Sequence, residues 1–253
     1  MRSNYNLEWL IEKIEQGHEP KFLFFWGHRS NANNEIGKSC FSQWFELPFT
    51  VDNITYKTAE HWMMAHKALL FDDLKIYDKI INANSPGEAK ELGRQVLSFD
   101  ETVWNDKRYD IVKLGNIHKF NQYPQYAEYL KNTGTRVLVE ASPVDKIWGI
   151  GLSRDDEDVE NPYCWRGLNL LGFALMEARD FLMEHGHFRY QYDTPLPPWK
   201  IHPDKDRADM FWRMSKGEEV NDEFYNYYSR LTDREQMIYK LIHPEPHHWK
   251  GFY

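Results

Sequence analysis

Cysteine, an excess of basic charge and long apolar runs are what this sequence lacks. The 253 residues include only two cysteines, Cys40 and Cys164, so no disulfide framework supports the fold and a reducing compartment is expected. No apolar run approaches the length of a membrane span, and the stretch Met1 to Trp9 has no signal-peptide core. Those two absences predict a cytoplasmic protein with no membrane partner. Lys and Arg number 31 against 39 Asp and Glu, for a formal charge of −8. That balance excludes a broad grip on a nucleic-acid backbone, although one nucleotide could still be held in a local pocket. The eleven histidines come without CxxC or HExxH spacing, so neither a metal nor a cofactor is assigned.

What is present is a core-forming composition, 42% apolar and 16% aromatic with ten Trp, enough for one large domain and an appendage. The most informative stretch is Thr58 to Phe71. Thr58 is a good N-cap, and the residues after it contain neither Gly nor Pro, so a helix of three to four turns is expected. Glu60 and Lys67, seven residues apart, return to one side of that helix with Met63 and Met64 between them. Ala59, Trp62, Ala65, His66 and Leu69 form the packing side. Two turns rise by about 10.5 Å, so Glu60 and Lys67 could flank an object the size of a sugar, as a cleft wall does. An ordinary surface helix with a scattered acid and base has the same pattern.

Before this helix, residues 1–20 read as a short amphipathic helix ended by Gly17 and Pro20. Lys21 to Gly27 reads as a buried strand and is followed by a polar loop to Ser39, and residues 44–56 suggest a hairpin turning at Asp52-Asn53. After it, helices are expected over 72–82, 86–96, 101–120 and 124–129, with Val103, Ile111, Leu114 and Ile117 as the packing side of the third. Arg136 to Ala141 reads as a strand, and a long helix runs from near Asn169 to before Gly186. The Pro-rich link 193–199 marks a boundary. Beyond it come two helices, one beginning at Asn221 and one capped by Thr232 with Glu235 in capping-box register. The expected organisation is therefore an N-terminal helix over 1–20, a main domain over 21–188 and an aromatic-rich extension over 189–253 that packs on the main body or on a protein partner.

Four blocks place an unusual polar group beside an aromatic: Phe25-Trp26, Glu60 with Lys67, Trp104 in Thr-Val-Trp-Asn-Asp-Lys-Arg, and Asp145 ahead of Trp148-Gly149-Ile150-Gly151. The last reads either as a tight backbone approach to a ligand beside a stacking surface or as a structural turn with a packed Trp. Two converging carboxylates with stacking aromatics suit cleavage of a glycosidic bond, since one stabilises an oxocarbenium-like transition state while a second acid or a lysine handles the proton. Arg94 and Lys119 could hold a phosphate at the pocket edge, or could be solvated helix residues.

In order and spacing these blocks resemble the NADAR family of N-glycosidases over residues 22–182. The resemblance is carried by Phe24-Phe25-Trp26, Phe41-Ser42-Gln43-Trp44, Thr58-Ala59-Glu60-His61, His66-Lys67-Ala68, Leu92-Gly93-Arg94, Trp104, His118-Lys119-Phe120, Val139-Glu140-Ala141, Asp145 to Gly151, Trp165 to Gly172 and Leu175-Met176. It implies an α+β, mostly helical fold, with a single NADAR-like domain, a small β-sheet and a helical C-terminal extension. The implied reaction is hydrolysis of the bond between ribose and an amino-bearing base, with either a phosphoribosylamino-pyrimidine intermediate of riboflavin synthesis or ADP-ribose on the amino group of guanine as substrate. The resemblance puts Glu60, Lys67, Trp104 and Asp145 in catalytic positions, and Phe25, Trp26, Arg94, Lys119, Trp148 and Gly149 are the expected substrate-binding set. Gln43-Trp44 departs from the Asn-Phe found there in many members, which puts pocket shape in question more than chemistry. The expected partner is a small nucleotide-like substrate or ADP-ribosylated guanine in nucleic acid. The competing expectation is a non-catalytic ADP-ribose or nucleotide-binding module, which would keep the aromatics but would not need Glu60 and Asp145 placed for reaction.

Overall fold

The computed structural model describes residues 4–29, 35–189 and 194–253. The chain divides into two compact units, Met1–His187 and Phe188–Tyr253. Parts of the polar loop before Ser39 and of the Pro-rich link lie outside the described residues.

The first unit begins with helix α1 (Leu7–Glu15), capped by the Asn6 side chain accepting from the Trp9 amide. Residues just ahead of α1 are tied to the last helix of the unit, with the Asn4 amide donating to Glu177 and the Tyr5 hydroxyl to Asp180. Strand β1 (Phe22–Phe25) follows, then a 3₁₀ turn at Lys38–Phe41 and the hairpin β2 (Phe49–Val51) and β3 (Ile54–Tyr56). Asp52 and Asn53, both at positive φ, make its two-residue turn, since short polar side chains tolerate the left-handed region. Helix α2 (Ala59–Leu70) is the expected central helix, and the Thr58 side chain accepts from the His61 amide at its start.

Around α2 pack α3 (Leu74–Asn82), α4 (Pro86–Gly93) and α5 (Glu101–Asn121). This enclosure corrects the two-faced reading of α2, because Met63 and Met64, expected on a cleft wall, are buried like Trp62, whereas Leu69 is exposed. The same holds for the second half of α5, where every residue from Gly115 to Asn121 is buried and not one stripe alone. Helices can approach this closely where glycine removes a side chain. A Cβ on Gly93 of α4 would lie 2.1 Å from the Met64 sulfur, and one on Gly115 of α5 would lie 2.4 Å from the Trp62 ring.

The short helix α6 (Pro124–Lys131) leads to strand β4 (Val137–Glu140), which pairs in parallel with β1 in the register Phe22 to Val137 through Phe25 to Glu140. The two partners lie more than a hundred positions apart in the chain, so the sheet fixes the entry and exit of everything between them. Helix α7 (Leu170–His185) packs on β4 and α5. Its cap, Asn169, is fully buried and serves as a surrogate strand edge: Oδ1 accepts from the Glu140 amide at 3.0 Å, and Nδ2 donates to the Leu138 carbonyl at 2.9 Å.

The second unit contains α8 (Pro198–Ile201), α9 (Ser215–Tyr228) and α10 (Asp233–Ile242) around a core of Trp199, Trp212 and Trp249. The Thr232–Glu235 capping box is present at the start of α10. Helix α9 starts at Ser215, earlier than the expected Asn221, because its first turn packs on the preceding 3₁₀ turn, so closely that a Cβ on Gly217 would lie 2.1 Å from the Phe211 carbonyl oxygen. Among the described residues, no helix is long and apolar enough to cross a membrane.

Candidate active site

Glu60 sits in the first turn of α2 and is almost completely buried at 3% exposure. Its amide donates to the Gln43 carbonyl at 2.9 Å, which locks the helix start to the loop after the 3₁₀ turn. The Trp44 side chain hydrogen-bonds the Glu60 carboxyl, while Oε1 has neither solvent nor a hydrogen-bond partner. Burial pushes this carboxyl up to about 7, partly opposed by the charge of Lys90, the Trp44 hydrogen bond and Arg94, and reinforced by the charge of Asp145. A carboxylic acid with a proton affinity near neutrality suits general acid–base work.

A second acid lies within electrostatic reach of it. Glu140 ends β4, with its amide held by Asn169 and its carbonyl accepting from the amides of Ser142 and Ile150. The residue as a whole is part-exposed, but Oε2 has no accessible surface and no partner. Burial, then the charges of Asp145 and Glu60, push the Glu140 carboxyl up to about 8, with Lys90 opposing. Asp145 lies in the loop that follows β4. Its Oδ1 accepts from the Ile147 and Trp148 amides at 2.8 Å, so one oxygen is committed to the loop and only the other could meet a substrate. Arg108 of α5 has a buried Nε without a partner; burial lowers its pKa below the usual guanidinium value, with the charges of Glu101 and Asp145 opposing.

The site thus brings three acids, Glu60, Glu140 and Asp145, within electrostatic reach of three bases, Lys90, Arg94 and Arg108. Among the described residues no group of His, Cys, Asp or Glu is arranged to hold a metal ion. Lys67, at the other end of α2, donates to the Gly93 carbonyl at 2.8 Å and lies 4.2 Å from the Phe99 ring centre and 5.7 Å from that of Trp104. The structure brings Lys67 and Trp104 together. Burial lowers the Lys67 pKa.

The other expected binding residues separate into groups. Arg94 is exposed at the C-terminus of α4, bonds Glu91 at 2.5 Å, and still acts on Glu60. Phe25 is corrected to a core position: it is 3% exposed, with its ring edge-on to Phe41, so no face is left for stacking. Lys119 is corrected as well, because it is fully buried and donates to the carbonyls of Cys40 (2.6 Å) and Ser42 (3.0 Å), pinning the loop that carries Trp44. Gly149 makes a close approach, but to the protein itself, since a Cβ there would lie 2.8 Å from the Glu140 carbonyl oxygen. Trp148 is half-buried with its backbone committed to Asp145 and Leu171. Trp26, 62% exposed, lines a different cleft of about 830 Å³ with Lys38 and Tyr129.

Sequence reasoning missed Trp44, Lys90, Arg108 and Glu140 as site residues. For two of them a signal was available, because Lys90 stands one turn before Arg94 on α4 and Arg108 one turn after Trp104 on α5, each pair sharing a helix face. Glu140 lay inside the Val139-Glu140-Ala141 block of the family resemblance, but its strand position carries no mark of what it faces.

Comparison with known proteins shows the family and the fold. Residues 24–183 match the NADAR domain family. The chain is 42% identical over 165 residues to "N-glycosidase R617" of Acanthamoeba polyphaga mimivirus, an alignment covering 63% of this chain and 95% of that protein. It is 36% identical over 139 residues to the chloroplastic "Riboflavin biosynthesis protein PYRR" of Zea mays, covering 52% of this chain but only 20% of the maize protein. The NMR structure of the E. coli protein YbiA superimposes with a TM-score of 0.52 at 24% identity, over 69% of this chain and 92% of that one, which shows a shared fold.

Proposed function

The chain belongs to the NADAR domain family, and from that premise we propose that it is an N-glycosidase that hydrolyses the bond between a ribose and the amino group of a purine or pyrimidine base. The sugar would be ribose 5-phosphate or the ribose of ADP-ribose, and removal of ADP-ribose from guanine falls within this scope. Relatives named as N-glycosidases and as riboflavin biosynthesis proteins support the reaction class.

The observation that carries the reading is the convergence of Glu60 and Asp145 from separate segments, one carboxyl held near neutrality by burial and the other half-engaged by its own loop. In this arrangement Glu60 delivers a proton to the departing amino nitrogen as the C1–N bond breaks. Asp145 stabilises the positive charge that develops on C1, and Arg108 and Arg94 supply donors for hydroxyl or phosphate oxygens. Trp104 offers a flat surface for the sugar or base, beside Lys67.

Lys67 gives this chemistry a covalent form. Its amine is desolvated and so more readily neutral. Once the ribose ring opens at C1, the amine can add there and form a Schiff base as the base's amino group leaves, and water then releases the sugar. Incubating the protein separately with ADP-ribosylated guanosine and with a phosphoribosylamino-pyrimidine, followed by mass spectrometry, tests the reading and selects the substrate class. Free base together with free sugar supports it, and binding of either compound without release would identify a nucleotide-binding module instead.

A further inference from the structure

Resting on the covalent form of the N-glycosidase reading, we propose that Phe99 is a positioning residue of this site: its ring face, together with the Gly93 carbonyl, forms the receptor for the Schiff-base cation at Lys67.

The placement of the ring is built into the chain. Phe99 stands in the segment between α4 and α5, and hydrogen bonds fix that segment on both sides of it. Asp73 Oδ2 accepts from the Leu97 amide while its Oδ1 accepts from the Ile76 amide, each at 3.0 Å, so the segment is tied to the start of α3. Asp100, the N-cap of α5, accepts from the Val103 amide at 3.0 Å. Between these anchors Ser98 turns the backbone at a φ of 53°, a conformation that a residue with a side chain adopts where its surroundings hold it there. The Phe99 ring then meets Phe71, the C-cap of α2, edge-on at 5.3 Å and lies with its centre 4.2 Å beneath Lys67 Nζ. At 44% exposure the ring is not a core side chain.

What Lys67 meets there favours one cation over another. An ammonium carries three N–H bonds, yet the acceptor that the protein gives it is the single Gly93 carbonyl at 2.8 Å. The other groups ranged on the nitrogen are the rings of Phe99 and, at 5.7 Å, Trp104. Among the described residues no carboxylate bonds it, and burial is the cause of its lowered pKa. A carboxylate would hold the amine protonated and unable to attack, whereas an aromatic face attracts positive charge without binding the proton. The protonated imine has one N–H for the one carbonyl and a flat, delocalised charge for the ring. These surroundings therefore complement it better than they complement the ammonium.

The step balances. Ring opening puts a proton on the ring oxygen and leaves C1 double-bonded to the base's nitrogen as a cation. The Lys67 lone pair adds to C1, and a proton passes from Lys67 to the base's nitrogen. The bond from C1 to that nitrogen then breaks with its electron pair on the nitrogen, which gives the free amino group and the C1=N cation at Lys67 over the Phe99 ring. Water adds to C1. One of its protons goes to solvent, repaying the proton used in ring opening, and the other passes to Lys67 as it leaves with the electron pair of its bond to C1. The net change is one water consumed, with free base and sugar aldehyde as products.

The test uses the full chain with Phe99 replaced in turn by mono-, di- and trifluorinated phenylalanine, a series that drains negative charge from the ring face while nearly keeping its shape. The deciding rate is that at which free ribose 5-phosphate, in the presence of cyanoborohydride, is fixed to the Lys67 peptide, read by mass spectrometry. It requires the Schiff-base cation but no glycosidic bond. The rate is expected to fall with each added fluorine, by about tenfold at the trifluorinated ring, with the melting temperature unchanged. Should that ring prevent folding, the first two members of the series read the same slope. A ring that merely covers the lysine stem leaves the rate flat, and a flat rate, or no adduct at Lys67 in the wild type, overturns the proposal. Turnover of ADP-ribosylated guanosine by the wild type is measured alongside. A falling adduct rate without turnover upholds the Phe99 receptor and sinks the N-glycosidase reading, whereas turnover with a flat adduct rate does the reverse.

Discussion

The Lys67 ammonium donates to the Gly93 carbonyl at 2.8 Å, which joins the last turn of α2 to the end of α4. The contact engages only one of the three N–H bonds and leaves the amine against the Phe99 and Trp104 rings. Borohydride added during turnover is expected to fix the sugar to Lys67, seen as a mass increase on its peptide. Lys67→Ala should lose roughly 100-fold or more in rate, the scale of a lost positioned catalytic group. Near wild-type turnover by Lys67→Ala, with no trapped adduct in the parent, removes the covalent route.

Gly93 also lets α4 approach α2. Gly93→Ala places a Cβ 2.1 Å from the Met64 sulfur, so the Met64 side chain must move or the helices part, and a loss of about 1–3 kcal/mol in stability is expected by denaturant titration.

Glu60→Gln should separate stability from activity. Burial raises the folded pKa of Glu60 from 4.5 to about 7, so its neutral form stabilises the fold below about pH 4.5 and that contribution is lost as pH rises through 7. At pH 8 the Gln variant should therefore be more stable than wild type, by on the order of 1–3 kcal/mol, while turnover falls roughly 10²- to 10⁴-fold. Thermal melts at pH 5 and pH 8 check the first outcome, since the melting temperature of the variant should vary less between them.

Trp104 is half-buried in the first turn of α5. Trp104→Ala should weaken substrate capture by about 1–3 kcal/mol, as expected for a lost stacking surface, with little change in melting temperature. A strong drop in melting temperature with unchanged binding by the folded fraction would make it a core residue instead.

A chain ending at His187 should fold, because the residues up to that point form one compact unit with its own sheet and helices. Circular dichroism and solubility of the truncated protein check this, and an unfolded product would contradict it.

What could be read from the sequence followed local chemistry. Helix α2 was legible because Thr58 caps it and nothing interrupts it, and the hairpin because Asp52-Asn53 tolerates positive φ. Placement against distant segments was not legible. Lys119 reads as a surface lysine until the carbonyls of Cys40 and Ser42 are brought to it, and Phe25 reads as a stacking ring until Phe41 closes on it. Of the site, Glu60 and Asp145 were visible through the family resemblance. Glu140 stood inside the Val139-Glu140-Ala141 block of that resemblance but without a role, because its placement depends on the parallel pairing of β4 with a strand more than a hundred residues earlier. Trp44 was visible only as a departure from the family pattern, and the structure turns that departure into a hydrogen bond on Glu60.

The central claim, N-glycosyl hydrolysis by this carboxyl cluster, is tested most directly by counting both products from ADP-ribosylated guanosine, with wild type and Glu60→Gln side by side. The account predicts guanosine with its amino group intact and free ADP-ribose in a one-to-one ratio from wild type, and almost none from the variant. Full recovery of the uncleaved substrate from wild type, with a phosphoribosylamino-pyrimidine also recovered intact, would contradict it.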